Sequence, residues 1–280
     1  VIEDTPIVYT ISNGKKVMVE AAYNLVAQTV SFDFPNGYNQ NYAVVIDPTL
    51  IMATYSGATN VLSAHSTAYD LSGNIYVGAG SLGGFPVTAG AYQTTFPAGG
   101  ILTSCIQKFD QAGNVLYATY IGGGNEYPLD MSVNTNDQLI LLTYTSGNFP
   151  MTAAPAFGAY SGGVDYALAI FNTNGTNLVA STYLGGTNNE GDGTSDVGAG
   201  IFVNAANEIF VGGSTLSGDF PITAGAFQPA LAGGTDGIVS KFNANLSNLI
   251  WSTFVGGTGD DMVNSLATGM NNDVYFVGNT

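Results

Sequence analysis

The chain has 280 residues, of which 45% are hydrophobic and only 9% charged; 20 acidic residues face four basic ones, all lysine, for a formal net charge of −16. Enough apolar material is present for a sizeable core, which excludes global disorder. The charge balance excludes nucleic-acid binding and adsorption to an anionic membrane as main functions, because both need basic side chains against phosphate.

No run of about 18 apolar residues occurs, so no transmembrane helix is expected. Val1-Ile2-Glu3-Asp4 has neither the basic nor the apolar region of a signal peptide, and the chain starts without Met. A mature or trimmed segment of something longer is the expectation. With charged residues far below the roughly 25% of an average domain, the surface must be built from Ser, Thr, Asn, Gln and Gly. Such surfaces are more typical of secreted and cell-surface proteins.

In chain order, residues 1–49 come first and do not repeat. Val8–Ile11, Lys16–Ala21, Thr29–Phe34 and Ala43–Asp47 read as strands, with Asn13-Gly14 and Asn36-Gly37 as turns. An element set of this size needs partner strands for stability. A repeated unit follows. Its anchors are Thr54-Tyr55-Ser56-Gly57, Thr119-Tyr120-Ile121-Gly122-Gly123, Thr182-Tyr183-Leu184-Gly185-Gly186 and Thr253-Phe254-Val255-Gly256-Gly257. Successive anchors lie 65, 63 and 71 residues apart, a period that signals an array of like supersecondary units.

Three landmarks follow each anchor. The first is a strand: Asn74–Gly78, Gln138–Leu142, Glu208–Gly212 and Asp273–Gly278. It is apolar on both alternating sets, so burial on both faces is expected. The second is a Pro/Gly connector with two fixed aromatics, Phe85 and Tyr92, Phe149 and Phe157, Phe220 and Phe227. Those rings are expected to pin the connector between neighbouring units. The third is a hairpin that runs from Ile106–Phe109, Leu168–Phe171 or Val239–Phe242 through a turn into the next anchor. A further strand between anchor and first landmark, such as Gly200–Val203 or Asn264–Thr268, makes four per unit. No helical period of useful length appears, and four-stranded units buried on both faces are β-propeller blades.

The order Thr-Tyr-x-Gly-Gly, Asn-x-Tyr-Val-x-Gly, Phe-Pro-x-Thr-Ala-Gly-Ala-Phe-Gln, x-x-Lys-Phe-Asn resembles the SBBP repeat, a bacterial seven-bladed β-propeller repeat. The resemblance covers about residues 50–280; the third copy matches best and the second, which carries Pro155 in its connector, matches worst. It implies blades at about 50–117, 118–180, 181–251 and 252–280, the last partial. Residues 1–49 then resemble the end of the β-rich domain that precedes such propellers in Bacteroidetes proteins. The resemblance also implies cargo of the type IX secretion system, sometimes associated with gliding motility, with a translocon or shuttle partner.

Catalytic chemistry is sparse. His65 is the single histidine and has no nucleophile elbow around it. Cys105 is the single cysteine; it cannot form an intrachain disulfide and reads as a packing residue. No Cys/His cluster is available for zinc. Gly122-Gly123-Gly124 lacks the Lys-Ser/Thr of a phosphate loop, and tight turns account for it. Asp260 with Asp261, and Glu190 with Asp192 and Asp196, are weighed as Ca²⁺ ligands against solvated loop carboxylates, and the second reading is preferred. The loop after Gly186 is about six residues longer than its counterparts, which marks a surface loop of the kind that lies on binding faces.

No catalytic, cofactor or metal residue is therefore assigned. The leading expectation is a non-enzymatic, extracellular or cell-surface binding or adhesion module for a protein or glycan. The alternatives are a polysaccharide-acting hydrolase or lyase with a site in the propeller channel, and a structural spacer of a large adhesin. An acid pair lining the channel about 5–10 Å apart would favour the enzyme.

Overall fold

The computed structural model describes residues 6–26, 29–47, 53–191, 198–269 and 273–280. It divides into two compact units, Val1–Thr54 and Tyr55–Thr280. Every regular element among the described residues is a β-strand.

The first unit holds β1 (Ile7–Ser12), β2 (Lys15–Val19), β3 (Ala22–Val26), β4 (Thr29–Asp33) and β5 (Val44–Asp47). β2, β1 and β5 form one antiparallel sheet in that order, and β3 pairs with β4. The β1–β2 hairpin closes on Asn13-Gly14, with Ser12 opposite Lys15 and positive φ at both loop residues. That is the two-residue turn whose twist matches the strands. β3 was not among the strands expected from sequence; Ala22–Val26 mixes Ala and Asn with its apolar residues, and its strand form comes from pairing with β4.

The second unit contains three four-stranded antiparallel meanders. The first comprises β6 (Leu62–Tyr69), β7 (Ile75–Ser81), β8 (Thr103–Phe109) and β9 (Val115–Ile121). The second comprises β10 (Glu126–Val133), β11 (Leu139–Thr145), β12 (Asp165–Phe171) and β13 (Leu178–Leu184). The third comprises β14 (Gly200–Val203), β15 (Ile209–Thr215), β16 (Asp236–Phe242) and β17 (Leu249–Val255). A two-stranded sheet, β18 (Met262–Thr268) and β19 (Val274–Asn279), follows. The first strands, β6, β10, β14 and β18, lie against one another in succession. The sheets therefore fan out from a shared line of first strands, which is the blade arrangement of a β-propeller. The second, third and fourth anchors close their sheets as the fourth strand, so the sheets end at Ile121, Leu184 and Val255, a few residues beyond the sequence-based boundaries, whereas the first anchor, Thr54–Gly57, belongs to no strand.

The core lies between the sheets. One buried cluster joins the first and second sheets through Tyr76, Ile106, Leu139, Leu141 and Phe171. A second joins the second and third through Leu142, Leu168, Val211, Ile238 and Phe242. β11 and β15 are buried along their whole length, as their double-faced apolar pattern requires. β19 has the same pattern yet exposes Tyr275, Phe276 and Val277, because within the described residues it pairs only with β18.

The connector aromatics pack as expected except Phe227, which is 86% exposed because the described part of the fourth unit offers no third strand to receive it. Phe85 and Phe220 pack on Tyr120 and Phe254 of their own sheets. Tyr92 meets Phe171 of the next sheet edge-on at 6.0 Å, and Phe157 meets Phe242 likewise at 6.4 Å. A backbone bond accompanies each inter-blade contact, Tyr92 N–H to Gly175 O and Ala156 N–H to Leu246 O.

Candidate functional site

At one end of the first strands the chain turns into the second strand over an Asx turn. Asp70, Asn134 and Asn204 each accept two backbone N–H groups across it, the local bonding that favours Asp and Asn in turns. Between the second and third blades this end is sealed, since Thr135 donates both its N–H and its hydroxyl to Asn207 Oδ1. In the first blade the residue at that turn position is Leu71, which has no hydroxyl to give and is 84% exposed. Here the junction opens into a cleft of about 350 Å³ lined by Thr67, Tyr69, Leu71, Ser132, Asn134 and Thr135 among others. Its lining mixes hydroxyl, amide and aromatic groups with the aliphatic side chains of Leu71, Met131 and Val133. Its one acid, Asp70, is buried and held by Lys108 Nζ at 2.9 Å, with the ammonium also over the Tyr76 ring. Burial pushes the Asp70 carboxyl up, but Asn74 and Lys108 together hold it below its ordinary value.

A second recurrent arrangement sits at the opposite ends of these strands, behind the glycine anchors. Glu126, Glu190 and Asp261 follow the anchors at like spacing. Each donates its backbone N–H to the preceding blade, to Leu102, Val164 and Thr235 carbonyls respectively. Each carboxylate accepts an anchor N–H, from Gly123, Gly186 or Gly257. Glu126 and Glu190 also accept a hydroxyl from the second strand of their own blade, Thr145 or Thr215. The acid thus clasps two blades. A second carboxylate faces it at two junctions: a Cβ on Gly185 would lie 2.6 Å from both Asp165 Oδ1 and Glu190 Oε2, and one on Gly256 would lie 2.9 Å from Asp261 Oδ2 and 3.0 Å from Asp236 Oδ1. At the first junction Thr103 begins β8 where Asp165 and Asp236 begin β12 and β16.

These positions correct the sequence reading. Glu190 and Asp261 are buried structural groups, not solvated loop carboxylates, because the blade junction closes over them. Asp260 is exposed and accepts Thr235 N–H at 3.1 Å. Asp192 and Asp196 lie outside the described residues, as does the whole of residues 192–197 in the long loop after Gly186. Among the described residues no group of three or more potential metal ligands comes together. The anchor glycines are only partly turn residues: Gly122 has φ +138, but Gly185 and Gly256 are needed for the close approach of carboxylates.

His65 sits at a bulge of β6. Its Nδ1 lies 3.0 Å from Leu129 O and its ring packs edge-on against Tyr127. The neighbouring Ser66 hydroxyl donates to Asp130. Asp130, which the sequence reading did not single out, also accepts Ile201 N–H at 2.9 Å and so ties three first strands together. Cys105 is buried with its thiol on Ala79 O, and burial pushes its ionisation well above the ordinary range. No helix among the described residues is long and apolar enough to cross a membrane.

Residues 1–49 match a family described as a domain of unknown function, DUF7948. No curated protein matches the chain. Among solved structures, a phage phi92 endosialidase resembles it with a TM-score of 0.43 and 13% identity, over 98% of this chain and 42% of that one. The chain thus spans less than half the length of that protein.

Proposed function

We propose that this chain is a non-enzymatic binding or adhesion module, displayed outside the cell, whose propeller blades present a cleft to a neutral polar ligand of the glycan class. The observation that carries the reading is the cleft between the first and second blades. Tyr69, 68% exposed, offers a ring face, and Thr67, Ser132 and Thr135 surround it with hydroxyl groups. Sugars are held by that combination of an apolar plate and a few orienting polar groups. The acids that approach each other closely, Asp165 with Glu190, are fully buried, so a bound polysaccharide does not reach them. The low share of charged residues and the SBBP-type resemblance support an extracellular setting and export as type IX secretion cargo.

A glycan array probed with the 280-residue chain tests this. Saturable binding to a neutral glycan is expected, and Tyr69→Ala should weaken it at least about tenfold while Phe227→Ser, a change at an exposed ring remote from the cleft, leaves it intact. Binding to no glycan would favour the spacer, and turnover of a polysaccharide would overturn the non-enzymatic reading.

A further inference from the structure

The junction between the second and third blades contains a pair of buried atoms that ordinary bonding does not satisfy. Asp165 and Glu190 are both fully buried. Each has one well-served oxygen: Asp165 Oδ2 accepts Ser161 N–H at 2.8 Å, and Glu190 Oε1 accepts Gly186 N–H and the Thr215 hydroxyl. The other two oxygens, Asp165 Oδ1 and Glu190 Oε2, have no hydrogen-bond partner, although the Ser217 hydroxyl lies near the Glu190 carboxylate and favours its ionised form. Both point at Gly185, within 2.6 Å of the place a Cβ would occupy. Two ionised carboxylates cannot rest that close in a water-free site without a cation or a proton between them.

The related junction shows what is missing. There Asp236 Oδ2 accepts the Gln228 side-chain amide at 2.6 Å and Ala232 N–H, and Oδ1 accepts Gly233 N–H. The second blade has Phe157 where the first and third have Gln93 and Gln228, since its N–H meets the Thr182 hydroxyl as theirs meet Thr119 and Thr253, so Asp165 lacks that amide. The two lysines of the repeat array are engaged elsewhere, Lys108 with Asp70 and Lys241 with Glu208. The titratable groups that face the pair are Asp219 and the phenols of Tyr160, Tyr166 and Tyr183, none of them a cation. Gly185 leaves space for a hydrogen-bonded contact, and among the described residues no group of three or more acids, histidines or cysteines gathers there to hold a metal ion.

We propose that Asp165 Oδ1 and Glu190 Oε2 share a single proton, and that this carboxyl–carboxylate bond is an acid-closed latch between the second and third blades. Protonated Glu190 donates to ionised Asp165; loss of the proton leaves two like charges buried across the junction and loosens it. Burial raises both groups, most strongly Glu190, to about 9 against about 6 for Asp165, and each raises the other or shares its bond. Both folded values exceed the unfolded ones, so the stabilisation is complete below about pH 4 and is lost as pH rises through the folded range. Between about pH 6 and about pH 9, where the pair holds one proton and the unfolded carboxylates none, that proton accounts for up to about a tenfold fall in the folding constant per pH unit.

Denaturant unfolding of the full chain from pH 5 to pH 10, with either EDTA or Ca²⁺, tests the latch together with infrared difference spectra. The wild type should lose stability steeply on the alkaline side and show a carboxylic-acid C=O band at neutral pH. In Glu190→Gln the amide donates in the proton's place, so the alkaline slope should flatten and the band vanish. Asp165→Asn provides a second variant with the same expectation, and the wild-type band is read without any variant. An unchanged slope in both variants, absence of the band at neutral pH, or full rescue of alkaline stability by Ca²⁺ would each overturn the shared proton, the last in favour of a cation.

Discussion

Lys108 and Asp70 show how one residue decides a turn. The ammonium lies over Tyr76 and against the Asp70 carboxylate, and both charged groups are nearly dry. Replacing Lys108 with Met leaves Asp70 buried beside no cation, which should cost about 3–5 kcal/mol in denaturant unfolding. The same argument applies less strongly to Lys241 and Glu208, where more of the pair meets water. At Gly185 the decisive quantity is space. A methyl group there overlaps both Asp165 and Glu190, so Gly185→Ala should destabilise by at least about 3 kcal/mol. Gly218→Ala, where a Cβ meets nothing within 4 Å, should lie within about 0.5 kcal/mol of the wild type. A calorimetric scan of both variants separates close approach from simple loss of glycine.

Elements are joined to one another by devices that recur from blade to blade. The connector aromatic is one. Tyr92 and Phe157 each leave their own blade and cap the end of the third strand in the next. Phe157→Ala should therefore cost about 3 kcal/mol, although Phe157 belongs to no strand. A double-mutant cycle with Phe242→Leu should show coupling, because the two rings pack directly. The sequence made this device legible: aromatics at fixed places in a Pro/Gly connector lie outside any strand and so call for packing partners elsewhere. The carboxyl clasp carried a comparable signal, an acid soon after each Gly-Gly, yet Glu190 and Asp261 read as solvated loop residues and Glu126 was not singled out. A sequence pattern gives spacing, while the burial of Glu190 depends on the neighbouring blade closing over it. The open cleft was not legible for a similar reason. Leu71 in place of Thr135 looks like an ordinary turn substitution until Asn207 is seen to receive the threonine's two bonds.

For the whole second unit, stability is a sum over blades and the junctions between them, as in other arrays whose units touch only their neighbours. The two large buried clusters fall at the first and second junctions. Amides of β11, β12 and β15 should thus exchange most slowly with deuterium and those of β19 fastest, in keeping with their burial. Trp251 packs against Phe210 inside the third blade, so its fluorescence reports that blade. In Phe157→Ala the Trp251 transition should separate from the far-ultraviolet signal of the whole chain, whereas in the wild type the two should coincide.

By itself the sequence determined the unit: its period, its four strands, the turns between them, the aromatic pins and an all-β architecture. These follow from local pattern, because strand alternation, Asx turns and Pro/Gly connectors are set by residues a few positions apart. Only the tertiary structure decided which acids are joints, which junction is open and why the anchor carries two glycines. Those properties arise between blades, from residues as much as 64 to 72 positions apart. Burial there turns a carboxylate from a soluble loop group into one that must find a donor, a cation or a proton.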